Sequence, residues 1–297
     1  MRPVSGLKTQ IVALDAAMLV AVNSAEAGAV HKLRTSTRRV ESQIALLEVL
    51  AGGTKPLVLP PHADEAEGVR KGLRRVRQAA GAVRDLDVQS KAIEEDAPAK
   101  EEVHKGSPGD AMRKEAKKLR KKILAQRDVE EAKLMAVLQD EAEGLAVHLR
   151  ALEQVLKPAN AQVVAQAVLL ERMEFWFAQA TREVLRTKVK SGETEKDALR
   201  RRVVGLSEES LHTVRKAAKL CRYMAESAAV GSTVRKAAGR FEAIQEAGGV
   251  WHDWLLLEQL SAEFHGKDAR LTMRYRRHRE AALAEYHLKL AELLPQV

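Results

Sequence analysis

Apolar residues recur at steps of three and four along most of the chain. Leu7, Ile11, Leu14, Met18 and Val22 form the first such stripe, which predicts a helix with one face turned to a core. Asn23, with Glu26 three residues on, resembles a capping box, so a second helix is predicted from there through Leu50. Gly52-Gly53-Thr54-Lys55-Pro56 ends it, and Pro60 and Pro61 prolong the loop. Further helices are predicted from about Asp64 to Ala80 and from about Val83 to Asp96, parted at Gly81. Ser107-Pro108-Gly109-Asp110 reads as a helix start, with serine as cap, proline in the first turn and an acid near the positive end. That helix runs from Pro108 to Leu156, is stopped by Pro158, and is long enough that a bend is expected near Gly144.

From 159 onward the plan repeats. A helix to about Val189, a hinge at Ser191-Gly192-Glu193 and a short basic piece over 197–203 lead to a cap at Ser207. Helices to about Ala228 and over roughly 231–247, 250–264 and 267–293 follow. The similar order predicts a duplicated bundle with pseudo-twofold symmetry, one half over residues 1–157 and the other over 158–297. Ala, Leu, Glu, Lys and Arg dominate, aromatics make up 3%, and no alternating apolar run marks a strand. The predicted fold class is all-α.

Two basic motifs stand out. His31-Lys32-Leu33-Arg34 continues to Arg38-Arg39, and Leu211-His212 continues through Arg215 and Lys219 to Arg222-Tyr223. In both, a histidine is followed by arginine at +3 and a basic residue at +7, steps of about 300° and 700° that share one helix face. Like charges stacked at these spacings repel by a few tenths of a kcal/mol, so an anionic partner is the simplest reason to concentrate them twice. The net charge of +9 and pI near 9.6 agree, without choosing among polyanions.

Other clusters add to the basic surface. Arg70, Lys71, Arg74, Arg75 and Arg77 lie within eight positions, and seven basic residues including Lys117 and Lys121 stand between Arg113 and Lys122. The second run fits either a solvated helix face or a binding surface. Arginine forks and mobile lysines both suit a chain of phosphates. Trp176, Trp251, Trp254 and Tyr223 are not interleaved with the clusters in sequence, which favours a base-free polyanion over single-stranded nucleic acid. In Arg84-Asp85-Leu86-Asp87 the acids are either helix-start charges or carboxylates that orient a motif side chain. No histidine has metal-ligand spacing, and no P-loop or nucleophile–base pair appears. The one cysteine, Cys221, reads as a packed core thiol in a reducing compartment. With no signal-like segment and no long apolar run, the expectation is a soluble cytoplasmic protein.

These motifs resemble the CHAD family, the conserved histidine α-helical domains. The resemblance rests on His31, Arg34, Arg38 and Arg39; on Gly81-Ala82-Val83-Arg84-Asp85-Leu86-Asp87-Val88; on Leu211-His212, Arg215, Lys219, Arg222-Tyr223 and Glu226; and on Ile244-Gln245 through Gly249-Val250-Trp251-His252-Asp253. It implies two similar helical bundles around a basic channel holding inorganic polyphosphate, without catalysis, cofactor or metal, in the cytoplasm or on polyphosphate granules. Carried onto this chain, His31, Arg34, Arg38, Arg39, His212, Arg215, Lys219 and Arg222 would face the ligand. Arg74, Arg77, Lys117, Lys121 and Arg274 are weaker additions chosen by helix-face spacing. Leu220 and Glu41 stand where the family more often has basic residues, and His252 where it commonly has Asn, which predicts a weaker second half-site. Nucleic-acid binding and polyphosphate hydrolysis are the alternatives. Glu193-Thr194-Glu195-Lys196 lacks the spacer of the Glu-x-Glu-x-Lys signature of the hydrolase domain that often accompanies this family.

Overall fold

Ser107 starts the longest helix in the way its side chain implies: Oγ accepts from the Asp110 amide at 3.2 Å, with Pro108 in the first turn. The structure, a computed structural model, describes residues 1–52, 56–99, 104–226 and 228–294. Among the described residues there are nine α-helices and no strand. The first four are α1 (Pro3–Asn23), α2 (Ala27–Ala51), α3 (Ala63–Asp96) and α4 (Pro108–Leu156), and a short 3₁₀ turn over Lys157–Ala159 follows at Pro158. Then come α5 (Gln166–Leu185), α6 (Glu195–Val204), α7 (Glu208–Ala225), α8 (Thr233–His265) and α9 (Arg270–Leu293). Thr194, Ser207 and Ser232 cap α6, α7 and α8 with side-chain oxygens on backbone amides.

Several boundaries differ from the sequence expectation. The predicted capping box does not form: Asn23 belongs to α1 and its Nδ2 donates to the Leu19 carbonyl at 2.8 Å, while Ser24 Oγ receives the Glu26 amide at 3.4 Å. The predicted stop at Gly52 to Pro56 lies mostly outside the described residues. α3 passes unbroken through Gly81 and α8 through Gly248-Gly249. Close packing explains Gly248, where an added Cβ would sit 2.7 Å from Cζ of Tyr286. Burial of that ring against the helix offsets the roughly 1 kcal/mol that glycine costs in a helix interior. α4 also continues through Gly144, giving 49 residues. At about 1.5 Å per residue it spans roughly 74 Å.

α1 packs on α2 and α4, α2 on α3, and α3 on α4; in the later part of the chain α7 packs on α5 and α8, and α8 on α9. α2 meets α7 across the middle, and α3 and α4 reach α8 and α9. One large apolar cluster runs from Val4 to Leu294 through both sets of helices. A smaller one joins Ile93, Leu119 and Ile123 to Leu257, Leu271 and Tyr275. α1 is apolar enough to cross a membrane by length and composition, with mean hydropathy 1.4. Its Leu7, Ile11, Leu14 and Met18 stripe is nevertheless buried against the neighbouring helices. Cys221 is buried in the large cluster, and burial pushes its thiol up, as a packed core thiol requires.

Candidate functional site: a basic groove between α2 and α7

The two motif helices come together. Arg34 and Arg38 of α2 line one cavity with His212, Arg215, Lys216 and Lys219 of α7 and His252 of α8, a space of about 230 Å³. It contains no carboxylate. On one side it joins a cavity of about 280 Å³ through Arg34, Arg215, Lys219 and His252. That space is bounded by His31 and, from α3 and α8, by Arg84, Asp85, Gln245 and Asp253. On the other side Arg38, Lys216 and Leu220 lead to a wider cavity of about 400 Å³ bordered by Glu41, Arg70 and Trp176. The three adjoin as one groove. From His31 to Ala45 on α2 it follows roughly 21 Å of helix at about 1.5 Å per residue.

Arg34 of α2 and Arg215 of α7 have similar surroundings. Gly81 on α3 leaves space where Nε of Arg34 lies 3.6 Å from the position of an added Cβ, and Gly249 on α8 does so for Nη1 of Arg215 at 3.9 Å. Four residues after each glycine comes an aspartate. Asp85 lies 3.5 Å from Arg34, and Asp253 exerts the main attraction on Arg215. Of the two readings of the acidic segment, Asp85 therefore restrains a motif arginine. Asp87 is structural, bound to Arg127 at 2.7 Å, and Arg127 also donates to the Ala25 carbonyl.

The crowding leaves a chemical signature. Burial, then Arg34, Arg38, Arg215 and Arg222, pushes the Lys219 ammonium down to about 7. Burial and neighbouring cations hold His212 and His252 at about 4 and lower His31. Arg38 is pushed down to about 10 by burial and by Arg77. Among the described residues, buried Nε of Arg34, Nε of Arg38 and Nδ1 of His252 have no hydrogen-bond partner. Buried donors and excess positive charge both lower the energy of an anion placed among them.

Other sequence-selected residues are engaged elsewhere. Arg39 donates to Glu226 at 2.6 Å, and Arg222 is shared among Glu226, Glu242 and Gln245. Both tie α2, α7 and α8 together at the groove's edge. Arg77 donates to Glu41 at 2.5 Å and flanks Arg38. Arg274 grips Asp96 with two bonds of 2.7 Å, Arg74 is exposed on α3, and Lys117 and Lys121 are exposed on α4. None of these last four lines the groove cavities. Leu220 lies in the wall shared by the central and outer cavities.

The sequence matches the CHAD domain family over residues 6–262. The chain belongs to the CHAD family. It is also similar in fold to the crystal structure of the CHAD domain from the plant Ricinus communis, with a TM-score of 0.59 at 16% identity, covering 98% of this chain and 87% of that one. No curated protein matches the sequence. In this CHAD domain Arg84, Lys216 and His252 also face the groove, although the two histidine motifs do not select them. The interval of 168 positions that relates Gly81 to Gly249 also relates Arg84 to His252, a signal that could have found both. Trp176 is far from either motif in the chain, yet it borders the groove beside Arg38 and Lys216.

Proposed function

We propose that this CHAD domain binds inorganic polyphosphate in the groove between α2 and α7, without catalysing a reaction. The observation that carries the reading is the central cavity, where Lys219 is packed among arginines with no carboxylate lining the space. A dense linear anion repays that repulsion. It would satisfy the buried Nε donors of Arg34 and Arg38, and release of its counterions would make binding weaken steeply with salt. Residues 1–157 and 158–297 act in this reading as pseudo-twofold halves, each giving one histidine–arginine helix to one channel. His31, Arg34, Arg38, His212, Arg215 and Lys219 are the ligand-facing set, joined by Arg84, Lys216 and His252. Arg39, Arg77 and Arg222 position the walls. The cytoplasm, including the surface of polyphosphate granules, is the setting that fits such a ligand.

Titration calorimetry with long-chain polyphosphate tests this. Replacing Arg34, Arg38, Arg215 and Lys219 together by alanine should abolish most binding while helix content, read by circular dichroism, stays unchanged. Undiminished affinity in that variant at moderate salt would place the ligand elsewhere. Duplex DNA and RNA competing as well as polyphosphate at equal phosphate concentration would favour a generic polyanion surface.

A further inference from the structure

Two of the three tryptophans are already stacked on other rings. Trp251 is buried and stacks on Tyr286 with ring centroids 5.9 Å apart, and Trp254 stacks on His278 at 4.4 Å. Trp176 differs. It is half-buried on α5, has no ring or arginine stacked on it among the described residues, and borders the outer cavity of the groove.

The outer cavity is chemically unlike the central one. Ala180, Ala217 and Leu220 give it apolar walls beside the indole, and Glu41 adds a carboxylate to the cations Arg38, Arg70 and Lys216. The cations can attract an inorganic phosphate chain, but such a chain gains nothing from the indole and apolar walls, and the carboxylate repels it. A nucleoside uses all of them: the base stacks on an aromatic face, the apolar walls exclude water, and ribose hydroxyls or an amino group donate to a carboxylate. The space of about 400 Å³ falls within the usual range for small-ligand sites. Arg38, Lys216 and Leu220 border both cavities, so a planar head in the outer one continues into an anionic tail in the central one.

We propose that the groove also binds nucleoside 5′-polyphosphates, with the base against Trp176 and the phosphates among Arg38, Lys216 and the cations of the central cavity. The proposal rests on the anionic reading of that cavity and adds a second ligand class to it. Leu220 becomes a specificity residue: a lysine there would extend the cationic surface to the outer wall, whereas leucine keeps that wall apolar.

Calorimetry on the full chain with ATP, inorganic tripolyphosphate and long-chain polyphosphate, at one pH and salt without divalent metal, tests it. ATP carries less charge than tripolyphosphate, so electrostatics alone ranks it weaker; base stacking should make it tighter by about tenfold. Trp176→Leu should erase that preference, and Leu220→Lys should reduce it while strengthening tripolyphosphate binding. The inference is overturned if ATP binds the parent more weakly than tripolyphosphate, or if Trp176→Leu with native helix content weakens both alike. Should Trp176→Leu fail to fold, an ATP preference unchanged in Leu220→Lys overturns it as well. Long-chain polyphosphate that does not bind the parent would instead refute the groove reading, whereas its binding without any ATP preference refutes only the nucleoside site.

Discussion

The rings of His212 and His252 lie 4.9 Å apart, centroid to centroid, on two different helices. Each is held at about 4, first by burial and then by cations: Lys216, Arg215 and Arg38 act on His212, and Arg215, Lys216 and Arg34 on His252, which also feels His212. Lys219 is held at about 7. In the groove these three groups therefore release protons more readily than they would in water.

A bound polyanion opposes the cation–cation part of those shifts, so binding takes up protons. We expect affinity for polyphosphate to rise as pH falls, once across the range from 10.5 to about 7 in which Lys219 titrates and again from 6.5 to about 4 for the histidines. Calorimetry in buffers of different ionisation enthalpy reads the uptake directly, and Lys219→Met should remove the alkaline part. The ligand-free stability should move the other way. With histidine values lowered in the folded state, the unfolded chain binds more protons between about 4 and 6.5, so these groups make stability decline with falling pH there.

Glu41 lies 3.8 Å from Arg38 and 2.5 Å from Arg77, so it competes with any phosphate for both guanidinium groups. Glu41→Gln should strengthen polyphosphate binding about fivefold at low salt, from roughly 1 kcal/mol of Coulombic repulsion removed at such separations in water. The gain should vanish in high salt. Affinity measured across a salt series checks both.

Gly248 and Gly144 should respond oppositely to alanine. At Gly248 the new methyl meets the buried Tyr286 ring, so overpacking of about 1–3 kcal/mol is expected to outweigh improved helix propensity. Nothing lies within 4 Å of the Cβ position at Gly144, where alanine should stabilise by up to about 1 kcal/mol. Urea unfolding separates the two.

Much of this was legible in the chain. Ser107-Pro108 and Pro158 bracket α4 because capping and proline chemistry are local. The apparent breaks at Gly81 and Gly248 were misleading, since both glycines sit inside continuous helices and Gly248 answers to Tyr286, a residue remote in sequence. The motifs located the groove, yet helical spacing could not reveal that Glu226 holds Arg39 and Arg222, or that Asp96 holds Arg274. Trp176 illustrates the limit most clearly. Nothing near it on α5 signals that α2 and α7 will place Arg38 and Lys216 beside it.

Arg274→Ala follows from that distinction. Its pair with Asp96 is partly exposed, so the substitution should cost about 1 kcal/mol of stability or less while polyphosphate affinity stays at the parent value. Parallel unfolding and binding measurements test it, and a loss of binding with full stability would return Arg274 to the ligand-facing set.

The reach of α4 has a further consequence during synthesis. Leu119 and Ile123 are made soon after their α3 partner Ile93 but well before their partners Leu257, Leu271 and Tyr275 of α8 and α9. Until then that end of α4 is covered only on its α3 side, and a chain lacking α8 and α9 exposes part of this apolar surface. The small cluster therefore closes only once α8 and α9 have joined α3 and α4.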